Sequence, residues 1–221
     1  MKISKCVQDK KELFMGHSFF DFLNDSSISV DKRISFLPYL SYFVMSFSDL
    51  NKYILPFENP KDDLEYAVNI HSSEDANHWQ WLLNDIRSIG EDKKGLLTDH
   101  IKFLWSDDNK NGRLLTYKLM SLVYNKPAKM KLVAIEVMEA TGNATFETLA
   151  HITKDRSPAL EYCGDIHLSQ ETGHAIGSGD ELVDTISYSQ KEMEEVRTIV
   201  DEGFMAFESF FSELEKNIKL R

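Results

Sequence analysis

The sequence predicts an all-α protein. Glycine and proline, the residues that most often break helices, number only 10 and 5 in 221 residues, below their average use of about 7% and 5%. Apolar residues recur at spacings of three and four, which places them on one face of a helix. No repeat or linker separates these segments, and none of their amphipathic faces could be buried alone. We therefore expect a single helical domain, residues 1–221, with seven or eight helices.

The first half of the chain predicts three long helices. The first covers residues 7–23, with its apolar positions spaced for one buried face. The second covers residues 31–55 and is apolar on nearly every side, so it belongs inside the bundle. Pro38 lies either near its start or at a kink. The third covers residues 62–89, where a glycine closes it.

The second half predicts two shorter helices and then three longer ones. In order, they cover residues 96–105, 114–124, 127–154, 159–175 and 181–218. Gly142-Asn143 would interrupt or bend the third of these. Ser157-Pro158 gives the fourth an N-cap followed by proline at the first helical position. The last carries one long apolar seam, from Met193 to Ile218.

The charge balance and the cysteines narrow the class of function. With 25 Lys+Arg against 36 Asp+Glu the net charge is −11, which disfavours binding to nucleic acid and to anionic membrane surfaces. Cys6 and Cys163 are far apart and lack the spacing of a metal finger, so we expect neither a disulfide nor a structural zinc site. No segment predicts a signal peptide or a membrane span. These features favour a cytoplasmic protein.

Two short runs of histidines and acids are the features most indicative of chemistry. They consist of His71, Glu74, Asp75 and His78 in the first run, and of His167, Glu171 and His174 in the second. On a helix each run falls within an arc of about 100°, so each forms a stripe of imidazoles and carboxylates. Burying such a stripe is unfavourable unless the groups pair or bind a cation. His17, His100 and His151 stand alone and are expected to be ordinary core or surface histidines.

A third helix supplies further acids. Glu136 and Glu139 lie in the otherwise apolar run of residues 132–140. Mixed imidazole and carboxylate ligands without thiolate suit iron or manganese, and bridging carboxylates allow two metal ions in a helical bundle. A mononuclear iron or zinc site would use the same ligands. A metal-free arrangement, in which these groups form a buried polar network or line an organic-ligand pocket, is also open.

These residues resemble those of a known family, the heme-oxygenase-like di-iron oxidases and their thiaminase-II-like relatives. The spacing His167-x3-Glu171-x2-His174 is similar to the C-terminal metal motif of those oxidases, in which a histidine, an acid and a histidine stand at i, i+4 and i+7. Glu136, on the preceding helix, matches the position of the family's bridging glutamate. His78 matches the histidine of the earlier ligand helix.

The resemblance extends to the first helix and includes two departures. Residues 16–20 (Gly-His-Ser-Phe-Phe) resemble the His-Pro-Phe turn of thiaminase-like relatives. The earlier ligand helix of the family usually carries a glutamate seven residues before its histidine. This chain has His71 there, and the acid moves to Glu74 or Asp75. Glu171 stands where the family usually has an aspartate.

The resemblance implies a heme-oxygenase-like bundle and an oxidase or oxygenase. Such a protein binds two Fe(II) ions, activates O2 and oxidises a small amine or carboxylate-bearing substrate. The implied metal ligands are His78, Glu136, His167, Glu171 and His174, with Glu74 or Asp75 completing the set and His71 as a further ligand or an orienting donor. Residues 36–55 and 204–211 would shape the substrate pocket.

Several points stay open on the sequence alone. Manganese is an alternative metal, the electron donor is not identified, and the long apolar helices are compatible with a homodimer. A metal-free ligand-binding or scaffold protein of the same fold is one alternative function. Heme binding through His17 is another.

Overall fold

The computed structural model describes residues 2–169 and 179–219, which form helices, turns and loops but no strand. The α-helices are α1 (Ile3–Met15), α2 (Ser18–Asn24), α3 (Val30–Arg33), α4 (Leu37–Asp49), α5 (Asp63–Asp75), α6 (Trp79–Ser88), α7 (Leu97–Trp105), α8 (Lys110–Val123), α9 (Ala128–Thr153), α10 (Gly179–Thr185) and α11 (Gln190–Lys219). Residues 165–169 are also helical. A π-helical turn, Leu50–Ile54, continues α4, and a 3-10 turn, Asp107–Asn109, precedes α8. The predicted all-α class is confirmed.

Helix α9 lies at the centre of the bundle, with α1, α5, α8 and α11 packed around it. Its residues from Met130 to Met138 are all buried, because neighbouring helices cover it on every side. At the contact with α11, a Cβ atom on Gly203 would lie 2.8 Å from Cγ1 of Val137, so the close approach of the two helices requires glycine. The described helices share one contiguous hydrophobic core. None of them is long and apolar enough to cross a membrane.

Phenylalanines from separate elements meet at one side of this core. The ring centroid of Phe211 on α11 lies 5.0 Å from those of Phe14 on α1 and Phe19 on α2. Phe19 in turn lies 5.1 Å from Phe36, which precedes α4. These separations are typical of packed aromatic pairs. The cluster fixes α1, α2, α4 and α11 relative to one another.

The first two predicted helices are each divided in the structure. Residues 7–23 fall into α1 and α2 because His17 caps the start of α2. Its Nδ1 accepts a hydrogen bond from the amide of Phe19 at 3.0 Å. Residues 31–55 fall into α3, α4 and the π-helical turn. Pro38 lies in the first turn of α4, where its missing N–H is tolerated, and does not kink a longer helix.

The predicted third and last helices are also divided. The chain turns at residues 76–78, so His78 becomes the N-cap residue of α6. A reciprocal capping box begins α11. The amide of Glu192 donates to Oγ of Ser189 at 3.3 Å, and the amide of Ser189 donates to Oε2 of Glu192 at 2.8 Å. Turns and capping residues therefore divide helices that apolar periodicity alone predicts as continuous.

Between these helices the structure differs from two predictions. α9 continues through Gly142-Asn143 without an interruption. Residues 154–164 are not helical in spite of Ser157-Pro158, and the following helix begins at residue 165. The rest of that predicted helix lies outside the described residues. The loop at 154–164 matters because it leads directly to His167.

Candidate metal centre

Three side chains from two helices converge inside the bundle. His71 and Asp75 are one turn apart on α5, and Glu139 comes from α9, which packs against α5. Nδ1 of His71 lies 3.0 Å from Oε1 of Glu139, and its Nε2 lies 3.4 Å from Oδ2 of Asp75. One potential ligand atom from each residue lies within 4.8 Å of the other two. A single metal ion could contact all three with small side-chain adjustments.

The imidazole of His71 is held between two carboxylates. Burial lowers the pKa of His71, but the hydrogen bond with Glu139 and the charges of Asp75, Glu139 and Glu74 outweigh burial, so the pKa is raised above its ordinary value. Nε2 of His71 is buried and makes no hydrogen bond. With Nδ1–H directed at Glu139, Nε2 is the nitrogen that a metal ion would engage, and the acid would orient the ring.

Asp75 also faces a second imidazole. Its Oδ1 lies 3.7 Å from Nδ1 of His78, on the turn that follows α5. The His78 ring stacks on Trp81, with ring centroids 4.5 Å apart, and meets the edge of the His167 ring at 4.6 Å. Asp75 therefore presents one carboxylate oxygen toward each of two histidines. The division of the predicted third helix does not separate them.

His167, the described residue of the second histidine run, lies beside His78. It is buried, and its Nδ1 lies 2.9 Å from the carbonyl oxygen of Tyr162, to which it donates in the tautomer that leaves the lone pair on Nε2. The ring of Phe146 packs against it at a centroid distance of 3.8 Å. A backbone acceptor and an aromatic wall thus fix the orientation of this imidazole.

The loop that carries Tyr162 is held by an acid outside both histidine runs. Asp85, on α6, is buried and accepts hydrogen bonds from the amides of Glu161 (2.7 Å) and Cys163 (2.9 Å). Burial raises the pKa of Asp85, although these backbone hydrogen bonds oppose the rise. Asp85 supplies two acceptors to backbone amides that no helix satisfies. It thereby positions the loop that leads to His167.

A cavity with largely aromatic walls opens beside these side chains. The phenylalanines that line it are Phe19, Phe36, Phe43, Phe47, Phe146, Phe207, Phe210 and Phe211. Polar residues that line it are Asp75, His78, Glu139, Thr141, Thr145 and His167. Some residues of both predicted pocket-forming segments, 36–55 and 204–211, line this cavity. The His/carboxylate groups are therefore in contact with a largely apolar space.

The other predicted ligands do not join the three-residue cluster in the part of the chain that the structure describes. Glu74 is exposed on α5. Glu136 is buried. The pKa of Tyr188 is raised to about 12, first by burial and then by the charges of Glu192 and Glu136, so Glu136 lies near that phenol. Glu171 and His174 lie outside the described residues.

His17 is not arranged as a heme ligand. Its Nδ1 accepts the capping hydrogen bond from the Phe19 amide, and its Nε2 lies 2.9 Å from Oγ of Ser212. Both ring nitrogens are therefore engaged, and His17 does not line the cavity. Heme ligation at this residue would require both contacts to break.

Two residues of the site were not predicted as such from the sequence. Glu139 stood out as an acid in an apolar run, but the resemblance pointed to Glu136, one helical turn earlier. Asp85 carried no signal in the sequence, because a lone acid on a helix is usually a solvated residue. Its role comes from backbone amides that lie far away in the sequence.

The fold and these side chains define a class: an all-helical protein with a His/carboxylate cluster beside an aromatic cavity. Comparisons with protein-family models and with curated proteins found no match.

Proposed function

We propose that this protein is a His/carboxylate metalloenzyme that uses iron and O2 to oxidise a small substrate held in the aromatic cavity. The observation that carries the proposal is the cluster of His71, Asp75 and Glu139, which offers three ligand atoms within 4.8 Å of one another. The donor set fits the metal, since imidazole and carboxylate without thiolate suit Fe(II) or Mn(II). Bound iron would supply the O2 chemistry that no side chain can provide.

The position of Asp75 supports a site for two ions. Its two oxygens face different imidazoles, Oδ2 toward His71 and Oδ1 toward His78. A carboxylate with imidazoles on both sides can bridge two metal ions, as carboxylates do in helical di-iron proteins. On this proposal His167, whose ring meets that of His78, belongs to the same end of the site as His78.

The cavity wall supports a substrate with an apolar body and one polar group. Its phenylalanines would bury the body and keep water from the reacting centre. No lysine or arginine lines the cavity among the described residues. A substrate carboxylate would therefore need bound metal as its counter-charge, whereas a protonated amine could pair directly with Asp75 or Glu139.

Anaerobic reconstitution with Fe(II), followed by iron analysis, tests the proposal. The wild-type protein should retain about two iron ions per chain and consume O2 when the iron is present. Glu139→Gln should weaken iron binding by about tenfold or more, because it removes an anionic ligand. Glu136→Gln is the matched control: it makes the same substitution on α9, outside the cluster, at a residue more deeply buried than Glu139, and this variant should retain its iron.

The opposite result would support a second candidate, a metal-free ligand-binding protein. The observation in its favour is that His71, when protonated, partly neutralises both acids without a metal ion. If the wild-type protein takes up no iron and its thermal stability is unchanged by chelators, the enzyme proposal fails. Equal loss of iron in the two glutamine variants would instead show that Glu139 is not a specific ligand.

A further inference from the structure

A second pocket lies away from the aromatic cavity, between the α2–α3 segment and the C-terminal end of α9. None of its lining residues lines the cavity. Its charged and titratable lining residues are Asp31, Arg33, His151, Lys154, Asp155 and Arg156. The lining is therefore polar and rich in cations, although the chain as a whole has a net charge of −11.

Arg33 lines this pocket and retains an unsatisfied donor. The residue is only 8% exposed, and its Nη1 donates a hydrogen bond to the carbonyl oxygen of Leu23 at 2.7 Å. Its Nε is buried and has no hydrogen-bond partner. A buried guanidinium N–H without an acceptor is unfavourable, so an acceptor at this position would stabilise the folded protein.

Arg156 repeats the arrangement from the other side of the pocket. Its Nη1 lies 3.2 Å from Oδ1 of Asp31, and its Nη2 donates to the carbonyl oxygen of Ser88 at 3.3 Å. Its Nε is also buried without a partner. Two guanidinium groups that line one pocket thus each retain an unused N–H donor.

We propose that this pocket binds a phosphate group, carried by inorganic phosphate or by a small phosphomonoester. The three cations outnumber the two acids, and Asp31 is already engaged by Arg156. The C-terminal dipole of α9 accounts for cations at residues 154 and 156 but not for the buried Nε of Arg33. Phosphate has enough oxygens to accept from both guanidinium groups and from Lys154 together, whereas a carboxylate has two.

Binding of inorganic phosphate to the metal-free, chelator-treated full chain tests this proposal without interference from the metal centre. Titration calorimetry and thermal unfolding should both show saturable binding, measured against chloride at the same ionic strength. Lys154→Glu, an exposed change that places a negative charge in the pocket, should weaken binding by about tenfold or more. Arg156→Gln should do the same, and Arg197→Gln, which alters an exposed arginine of α11, should bind as the wild type does.

Three outcomes would overturn the proposal. The first is the absence of saturable phosphate binding beyond the effect of chloride. The second is unchanged affinity in Lys154→Glu, which should fold normally because the residue is exposed. The third is that acetate binds as tightly as phosphate, which would show that the pocket does not select a phosphate group. None of these outcomes depends on iron, so the phosphate site and the proposed enzyme activity stand or fall separately.

Discussion

Nδ1 of His71 and Oε1 of Glu139 lie 3.0 Å apart, joining α5 to α9 in the interior of the bundle. Asp75 approaches the same imidazole from one turn away, at 3.4 Å. The cluster is therefore produced by the packing of two helices, and its properties depend on residues that are far apart in the sequence. Its electrostatics can be tested without any metal.

Asp75→Asn should lower the pKa of His71 in the metal-free protein. Burial is the largest single influence on the pKa of His71 and lowers it, and the charge of Asp75 is one of those that reverse this effect. Without that charge the lowering of the pKa by burial is opposed less, so the neutral imidazole is favoured. An NMR titration of the His71 ring measures the change. Glu74→Gln is the control and should have a smaller effect, since Glu74 contributes least among the influences on His71. An unchanged pKa in Asp75→Asn would contradict the ion pair.

Helical spacing was sufficient to predict two of the three residues of this cluster. His71 and Asp75 stand at i and i+4, which places them on one face of any helix that contains both. The choice between Glu136 and Glu139 could not be made in this way. α9 is buried on every side along residues 130–138, so apolar periodicity does not tell which face meets α5. Only the packed structure distinguishes the two acids.

The loop before His167 could not be predicted for a different reason. Ser157-Pro158 is a good local signal for a helix start, but the local signal competes with acceptors from elsewhere in the fold. Asp85 supplies two carboxylate oxygens to the amides of Glu161 and Cys163, so those amides are satisfied without a helix. Tertiary hydrogen bonds of this kind leave no pattern near the loop itself.

Asp85→Ala should loosen the loop at 154–164 while the rest of the bundle stays folded. The substitution leaves the amides of Glu161 and Cys163 without their acceptor, which costs about 1–3 kcal/mol for each buried group left unsatisfied. Native-state hydrogen exchange should show faster exchange of these two amides, with amides in α11 unchanged. Asp92→Ala, in an exposed loop, is the control. Full protection of both amides in Asp85→Ala would show that another group holds the loop.

Phe210→Ala should destabilise the fold by about 3–5 kcal/mol, the usual effect of truncating a buried phenylalanine. Phe210 is 1% exposed, lines the cavity and has its ring centroid 5.6 Å from that of Phe43. Truncation would enlarge a space that the surrounding rings cannot fully close. Tyr53→Ala is the control, because Tyr53 is 74% exposed; it should change the stability by at most about 0.5 kcal/mol. Chemical denaturation measures both, and a loss below about 1 kcal/mol in Phe210→Ala would mean that the cavity collapses.

Glu192→Gln should reduce stability at neutral pH and lose this effect in acid. The hydrogen bond from Lys129, followed by those from the amide and hydroxyl of Ser189, lowers the pKa of Glu192 from 4.5 to about 2. The folded protein therefore binds fewer protons than the unfolded chain between these two values. The contribution of Glu192 is fully present above pH 4.5 and disappears as the pH falls toward 2. Urea denaturation of wild type and variant across this range should give free energies of unfolding that converge as the pH falls.

Glu194→Gln, two residues further along α11, is the control, and its free energy of unfolding should show the same pH dependence as that of the wild type. A constant difference between wild type and Glu192→Gln at every pH would show that the ionised carboxylate is not what stabilises the start of α11.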